Sequence, residues 1–126
     1  MKRGDENTLQ ILKNEQQGAT VDLASKTSVP DRRDVHALKG AELHNLSHQL
    51  PNWEVVNEHH IRRSFKFPDF QMALDFVNRV GAIAEELGHH PEIALTWGKA
   101  EITTWTHAVN GLTESDFNLA AKIDEI

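Results

Sequence analysis

From residue 38 onward the apolar positions keep one of two rhythms, and the changes between them mark the elements. Leu38, Ala41, Leu43, Leu46 and Leu50 recur every three or four residues until Pro51, a spacing that lines one side of an amphipathic helix. The rhythm then shortens to two. Trp53–Val56 and Ile61–Phe67 predict strands joined by a turn at Asn57 and Glu58. Ile61, Arg63, Phe65 and Phe67 share one face of the second strand, and Arg62, Ser64 and Lys66 take the other, wet face. Pro68 and Asp69 suit the first turn of another helix, where a missing N–H costs nothing and a carboxylate meets the positive end of the dipole. Along it, Phe70, Leu74, Val77, Gly81 and Ala84 form one ridge and Phe76, Val80, Ile83 and Leu87 another, with Gly88 as the expected stop. A hairpin follows, Ile93–Trp97 and Ala100–Thr106 about a tight Gly98-Lys99 turn. Thr113 is expected to cap a last helix through Phe117, Ala120, Ala121 and Ile123, with Asp116 as its capping-box partner. Hairpin-linked strands pair antiparallel, so the expected fold is α+β: element order α-β-β-α-β-β-α, a four-stranded antiparallel sheet with helices packed on one face.

Residues 1–37 keep no period and are read as an N-terminal extension, a tail or docking segment, leaving 38–126 as one domain. The chain is long enough for one core and too short for two of ordinary size. No apolar run approaches a membrane span and no apolar stretch follows the basic N-terminus, so neither a bilayer segment nor a secretory signal is expected. With no cysteine, disulfide and thiolate chemistry are excluded, and a cytoplasmic location is the simplest expectation. The net charge of −6 resides in the domain: the first thirty-five residues carry six basic and six acidic side chains, the remainder seven and thirteen. An acidic body without a basic stripe argues against direct nucleic-acid binding, and favours a small-molecule or protein partner.

Candidate chemistry concentrates between Glu85 and Asp116. Glu85 precedes His89 by one helical turn, so its carboxylate can orient that imidazole. His89 and His90 are neighbours, and Pro91 pushes the backbone of His90 toward extended geometry as the helix ends. Adjacent histidines chelate poorly, because helical ligand pairs need four residues and strand pairs two. Two proton-transfer groups need only face one cavity. By alternation His107 shares a face with Glu101, Thr103 and Trp105, and Trp97 lies on the neighbouring strand; an aromatic beside imidazoles suits a flat ring as ligand. His44 and His48 also have helical metal-pair spacing, but Asn45 stands where a zincin has Glu, so they read as solvated histidines.

The intervals among Glu85, His89-His90-Pro91, Trp97, His107 and Asp116 resemble those of the pterin-4a-carbinolamine dehydratases, also called 4a-hydroxytetrahydrobiopterin dehydratases. Leu50-Pro51-Asn52-Trp53, Phe65-Lys66-Phe67 with Asp69-Phe70, and Gly111-Leu112-Thr113 are further landmarks, so the resemblance covers roughly residues 38–126. Two departures are Lys39, where relatives often place a Ser or Thr cap, and Gly88, where animal members carry Asp. The resemblance implies dehydration of a 4a-hydroxytetrahydropterin to the quinonoid dihydropterin, recycling the cofactor of aromatic amino-acid hydroxylases. It implies His89 and His107 as proton-transfer groups for the two faces of C4a and His90 as substrate holder. Glu85, Pro91 and Asp116 would support, Trp97 would line the pterin pocket, and no metal or organic cofactor is needed. A homo-oligomer, dimer or tetramer, is expected, two open sheet edges inviting further pairing. The alternative on the same fold is a protein-assembly or dimerisation cofactor. A metal-dependent hydrolase built on Glu85, His89 and His107 is a third class, disfavoured because no recognised zinc spacing is present.

Overall fold

The computed structural model describes residues 36–126, so the expected extension lies outside the described residues except for its last two positions. The elements are α1 (Gly40–His48), β1 (Glu54–Val56), β2 (His60–Lys66), α2 (Phe70–Leu87), β3 (Glu92–Thr96), β4 (Lys99–Thr104), a short 3-10 turn (His107–Val109) and α3 (Glu114–Asp124). All four strands pair antiparallel in the order β1-β2-β4-β3. The expected α+β order holds, with the 3-10 turn as an added element. Among the described residues no helix is long and apolar enough to cross a membrane.

Strand alternation decides which side carries the core. Ile61, Ala100, Ile102 and Thr104 are buried on the helix side, while Arg62, Ser64, Glu101 and Thr103 face the other way. Phe117, Leu119, Ala120 and Ile123 of α3 are buried with them, and α3 contacts both other helices. Each of the larger of these side chains contributes roughly 1.5–3 kcal/mol by leaving water. Arg63 lies on the core side, as the alternation requires. Its guanidinium sits 4.4 Å over the Phe65 ring and donates to Asp124 Oδ1 at 2.7 Å, where Trp53 Nε1 also donates at 2.9 Å. A charged residue on an apolar face thus fastens the end of α3 to the sheet.

Three local expectations are corrected. The first helix begins at Gly40 rather than Leu38, because Lys39 is extended at φ −147° and ψ 163°, and the Leu38 N–H before it donates to the Leu112 carbonyl at 2.7 Å. Lys39 stands at its N-cap with no side-chain cap bond; the Gly40 N–H instead donates to Glu58 Oε2 from the β1–β2 turn at 3.3 Å. In α2 the buried ridge is Ala73, Phe76, Val80 and Ala84, which leaves Phe70 exposed, with Val77, Ile83 and Leu87 packed at its margin. The second hairpin is shifted by one residue: Thr96 pairs with Lys99, so Trp97 and Gly98 make the turn.

At the start of α2 the expected first-turn residues lie one step out, Pro68 before the helix and Asp69 at its N-cap, while the Gly88 stop falls where expected. Asp69 is the N-cap and accepts from the Met72 N–H at 2.9 Å. Gly88 terminates the helix in the left-handed region at φ 67°. The chain reverses there, and His89 is the second residue past the helix.

Candidate active site

Beyond Gly88 the chain extends into β3, whose first pair with β4 is Glu92 with Thr103. Continuing that register backwards sets His90 across from Trp105 and His89 across from Thr106, so the pleat sends the two imidazoles to opposite sides. His89 turns toward the helices and meets Asp116, Nε2 to Oδ1 2.6 Å. His90 turns outward and meets Glu85, Nε2 to Oε2 2.5 Å. The expected pairing of Glu85 with His89 is therefore replaced by one with His90, because the chain has left helical geometry at Gly88 and the one-turn rule no longer applies.

Asp116 is fully buried and accepts four hydrogen bonds. Besides His89, Oδ1 accepts from Thr104 Oγ1 at 2.7 Å; Oδ2 accepts from Thr106 Oγ1 at 2.8 Å and from the Thr113 N–H at 3.0 Å. The last of these completes the capping box of α3. One side chain thus caps a helix and holds an imidazole. With Nε2–H of His89 given to this carboxylate, and Nε2–H of His90 given to Glu85, each neutral ring keeps its lone pair on Nδ1.

His107 opens the 3-10 turn, directly after Asp116-bonded Thr106. Strand pairing stops at Thr104, and Thr106 and Gly111 form a single bridge that closes the loop carrying His107. Its ring still lies on the Trp105 side that alternation assigns it, 4.7 Å from the indole and tilted by 34°. Trp97 is not brought to these histidines. It is 69% exposed in the turn at the opposite end of β3, whose five residues span about 17 Å. The indole beside the imidazoles is Trp105. Glu85, His89 and His107 do not converge on a common point: among the described residues no three His, Asp or Glu side chains are grouped so as to hold a metal ion.

Two residues in this neighbourhood escaped the sequence reading. His59 and His60 stand at the start of β2, their rings 5.1 Å and 6.0 Å from that of Trp105. The signal was there in Glu58-His59-His60, but nothing in the sequence said that the β1–β2 turn would reach the His107 loop. A recess of about 500 Å³ lies elsewhere, lined by residues including Asn52, Glu54, Arg62 and Glu101. Arg62 is paired with Glu54 at 3.0 Å, Glu101 accepts from Ser64 at 3.1 Å, and no imidazole lines the recess, so it offers no comparable acid/base chemistry.

The family model described as pterin 4 alpha carbinolamine dehydratase matches residues 36–126, the whole described part of the chain. The chain belongs to that family. A Rubrobacter xylanophilus protein bearing the provisional name pterin-4-alpha-carbinolamine dehydratase is 60% identical over 105 residues, covering 83% of this chain and 98% of its own. One from Alkaliphilus metalliredigens with the same provisional name is 44% identical over 104 residues, covering 82% and 94%. The crystal structure of a Brucella melitensis protein described as a transcriptional coactivator/pterin dehydratase superposes with a TM-score of 0.67 at 35% identity, covering 71% of this chain and 97% of that one. The pterin-dehydratase fold and this chain therefore agree over nearly all of a known member's length.

His60 gives the site a pH signature. Its pKa is lowered from the ordinary 6.5 of an imidazole, first by burial and then by His59 and Arg62, against the opposing pull of Glu92 and Glu54. The unfolded chain takes up this proton near 6.5 and the folded chain only at lower pH. Between the two values the unfolded state binds more protons, so stability falls as pH drops through 6.5 and stops falling below the folded value. His60→Gln is expected to shrink the loss of melting temperature between about pH 7.5 and about pH 5.5. An equal or larger loss in the variant would rule out His60 as the source.

Proposed function

We propose that this protein dehydrates a 4a-hydroxytetrahydropterin to the quinonoid dihydropterin and water by histidine acid/base catalysis, recycling the pterin cofactor of aromatic amino-acid hydroxylases. The C4a–O bond breaks as the leaving hydroxyl is protonated, N5 loses its proton, and the N5 electron pair forms the C4a=N5 double bond. Imidazole can serve as either partner near neutral pH. The observation that carries the reading is the Asp116–His89 pair: a fully buried carboxylate takes one ring N–H and leaves Nδ1 as the atom that moves a proton. His89 and His107 serve the two faces of C4a. His90, held by Glu85, binds the substrate, and Pro91 keeps the two rings apart; no metal or organic cofactor takes part.

The test is direct. Purified protein added to 4a-hydroxytetrahydropterin, generated in situ by a hydroxylase, is expected to accelerate its decay; decay at the uncatalysed rate would sink the enzyme reading. The name of the Brucella relative also pairs dehydratase with coactivator, which favours protein assembly as a second role on the same fold. A cytoplasmic homo-oligomer, dimer or tetramer, completes the proposal. The edge strand β3 supports it: its outer backbone has no partner strand within the described residues, and Ile93 and Trp97 are exposed beside it. Light scattering that gave a monomer at micromolar concentration would overturn this part.

A further inference from the structure

Three imidazoles of the site are oriented in three different ways. His89 has a buried carboxylate, His90 an exposed one, and His107 no hydrogen-bond partner among the described residues, only the face of Trp105. Such an imidazole is free to turn about its side-chain bonds unless something fixes the indole.

The β1–β2 turn supplies it. Asn57 and Glu58 both lie in the left-handed region at φ 55°, a tight reversal that non-glycine residues adopt at a cost. That turn delivers His59 to Trp105, ring centroids 5.1 Å apart, on a second approach to the indole besides that of His107. His59 is itself fixed at both nitrogens. Nε2 donates to Asn110 Oδ1 at 3.1 Å, which leaves Nδ1 to accept from His60 Nδ1 at 3.0 Å. Asn110 is also left-handed, φ 51°, and ends the 3-10 turn by donating its N–H to the His107 carbonyl at 3.1 Å. A closed circuit results: His107 ring to Trp105, Trp105 to His59, His59 to Asn110, and Asn110 back to the His107 backbone. The three left-handed non-glycine residues among the described positions all belong to the two loops this circuit joins.

We propose that Trp105 and His59 are positioning residues for His107, setting the plane of its imidazole for proton transfer to one face of the pterin. The proposal rests on the dehydratase reading. Misplacing a proton-transfer group by a fraction of a ring width costs roughly 10- to 100-fold in turnover. The defect has to be confined to the 4a-isomer that His107 serves, because His89 is held independently by Asp116.

The experiment combines kinetics on resolved 4a-isomers with histidine ring NMR of the full-length protein. Trp105→Ala is expected to lower kcat about 10- to 100-fold for the isomer that His107→Ala also slows, with KM and the other isomer changed by less than about twofold. Trp105→Phe, which keeps a ring, is expected to recover most of the loss. His59→Ala keeps the indole side chain but removes the ring that fixes it, so a shift of the His107 ring signals without a shift of those of His89 reports reorientation through the circuit. Equal loss for both isomers, or His107 signals unmoved by His59→Ala, would overturn the proposal. If the wild-type protein proved inactive, the dehydratase reading would fail by itself, and the NMR comparison would still decide whether the circuit orients His107.

Discussion

Replacing both His89 and His107 by Ala is expected to reduce dehydration of 4a-hydroxytetrahydropterin by roughly 10²- to 10⁴-fold, the range typical of losing general acid/base help. Each single replacement is expected to spare turnover of one isomer, because the two rings reach the substrate by separate routes. His89 comes from the end of α2 on the helix side of the sheet, and His107 from the loop after β4 on the Trp105 side. Neither ring carries a structural burden comparable to Asp116, so folding is expected to survive the double change. His90→Ala makes the internal control. With its ring 61% exposed and tied only to the exposed Glu85, it is expected to raise KM with a smaller change in kcat. Steady-state kinetics on separated isomers measures all four variants. A collapse of kcat in His90→Ala at saturating substrate, with near-normal turnover in the double variant, would exchange the roles.

Period and punctuation made most of the fold legible. The switch between spacings of three to four and of two located every α-helix and strand, though not the 3-10 turn, and Asp69, Gly88 and Thr113 marked helix ends through chemistry that acts within a few residues. What failed was register. A hairpin turn placed at Gly98-Lys99 or at Trp97-Gly98 fits the local composition equally well, but the one-residue shift moves Trp97 from strand to turn. The same limit hid the partner of His89. Sequence neighbours suggested Glu85, whereas the actual carboxylate comes from twenty-seven residues away, on another helix. His59 and His60 stayed invisible as site residues because their approach to Trp105 depends on β2 pairing with β4, a contact no local pattern encodes. Family intervals named the histidines and Asp116 as candidates without supplying this geometry.

Asp116→Ala is expected to be the most damaging single substitution for stability and activity together. Its carboxylate is fully buried and has no Lys or Arg partner among the described residues; four donors satisfy it, from His89, Thr104, Thr106 and Thr113. Truncation orphans them. Loss of the cap on α3 costs about 1 kcal/mol, and each buried donor left unmet about 1–3 kcal/mol. The Thr106 hydroxyl keeps its existing bond to the Thr113 hydroxyl, 2.8 Å away, which limits the loss at that position, while the Thr113 backbone N–H loses its acceptor. The effects are not additive among neighbours, and a net loss of about 3–5 kcal/mol is expected. Asp116→Asn separates the two roles. Its amide oxygen still caps the helix and accepts from Thr106, and the Thr104 hydroxyl can turn to accept from the new NH₂, so the stability loss is expected to be well below that of the Ala variant. The amide cannot hold His89 as the carboxylate does, because one of its two positions is now a donor. Urea unfolding is therefore expected to rank wild type above Asp116→Asn above Asp116→Ala. Kinetics on resolved isomers is expected to show the Asn variant impaired mainly on the isomer that His89 serves. An Asn variant that folds and turns over both isomers at the wild-type rate would show that the carboxylate only caps the helix, and that His89 needs no partner.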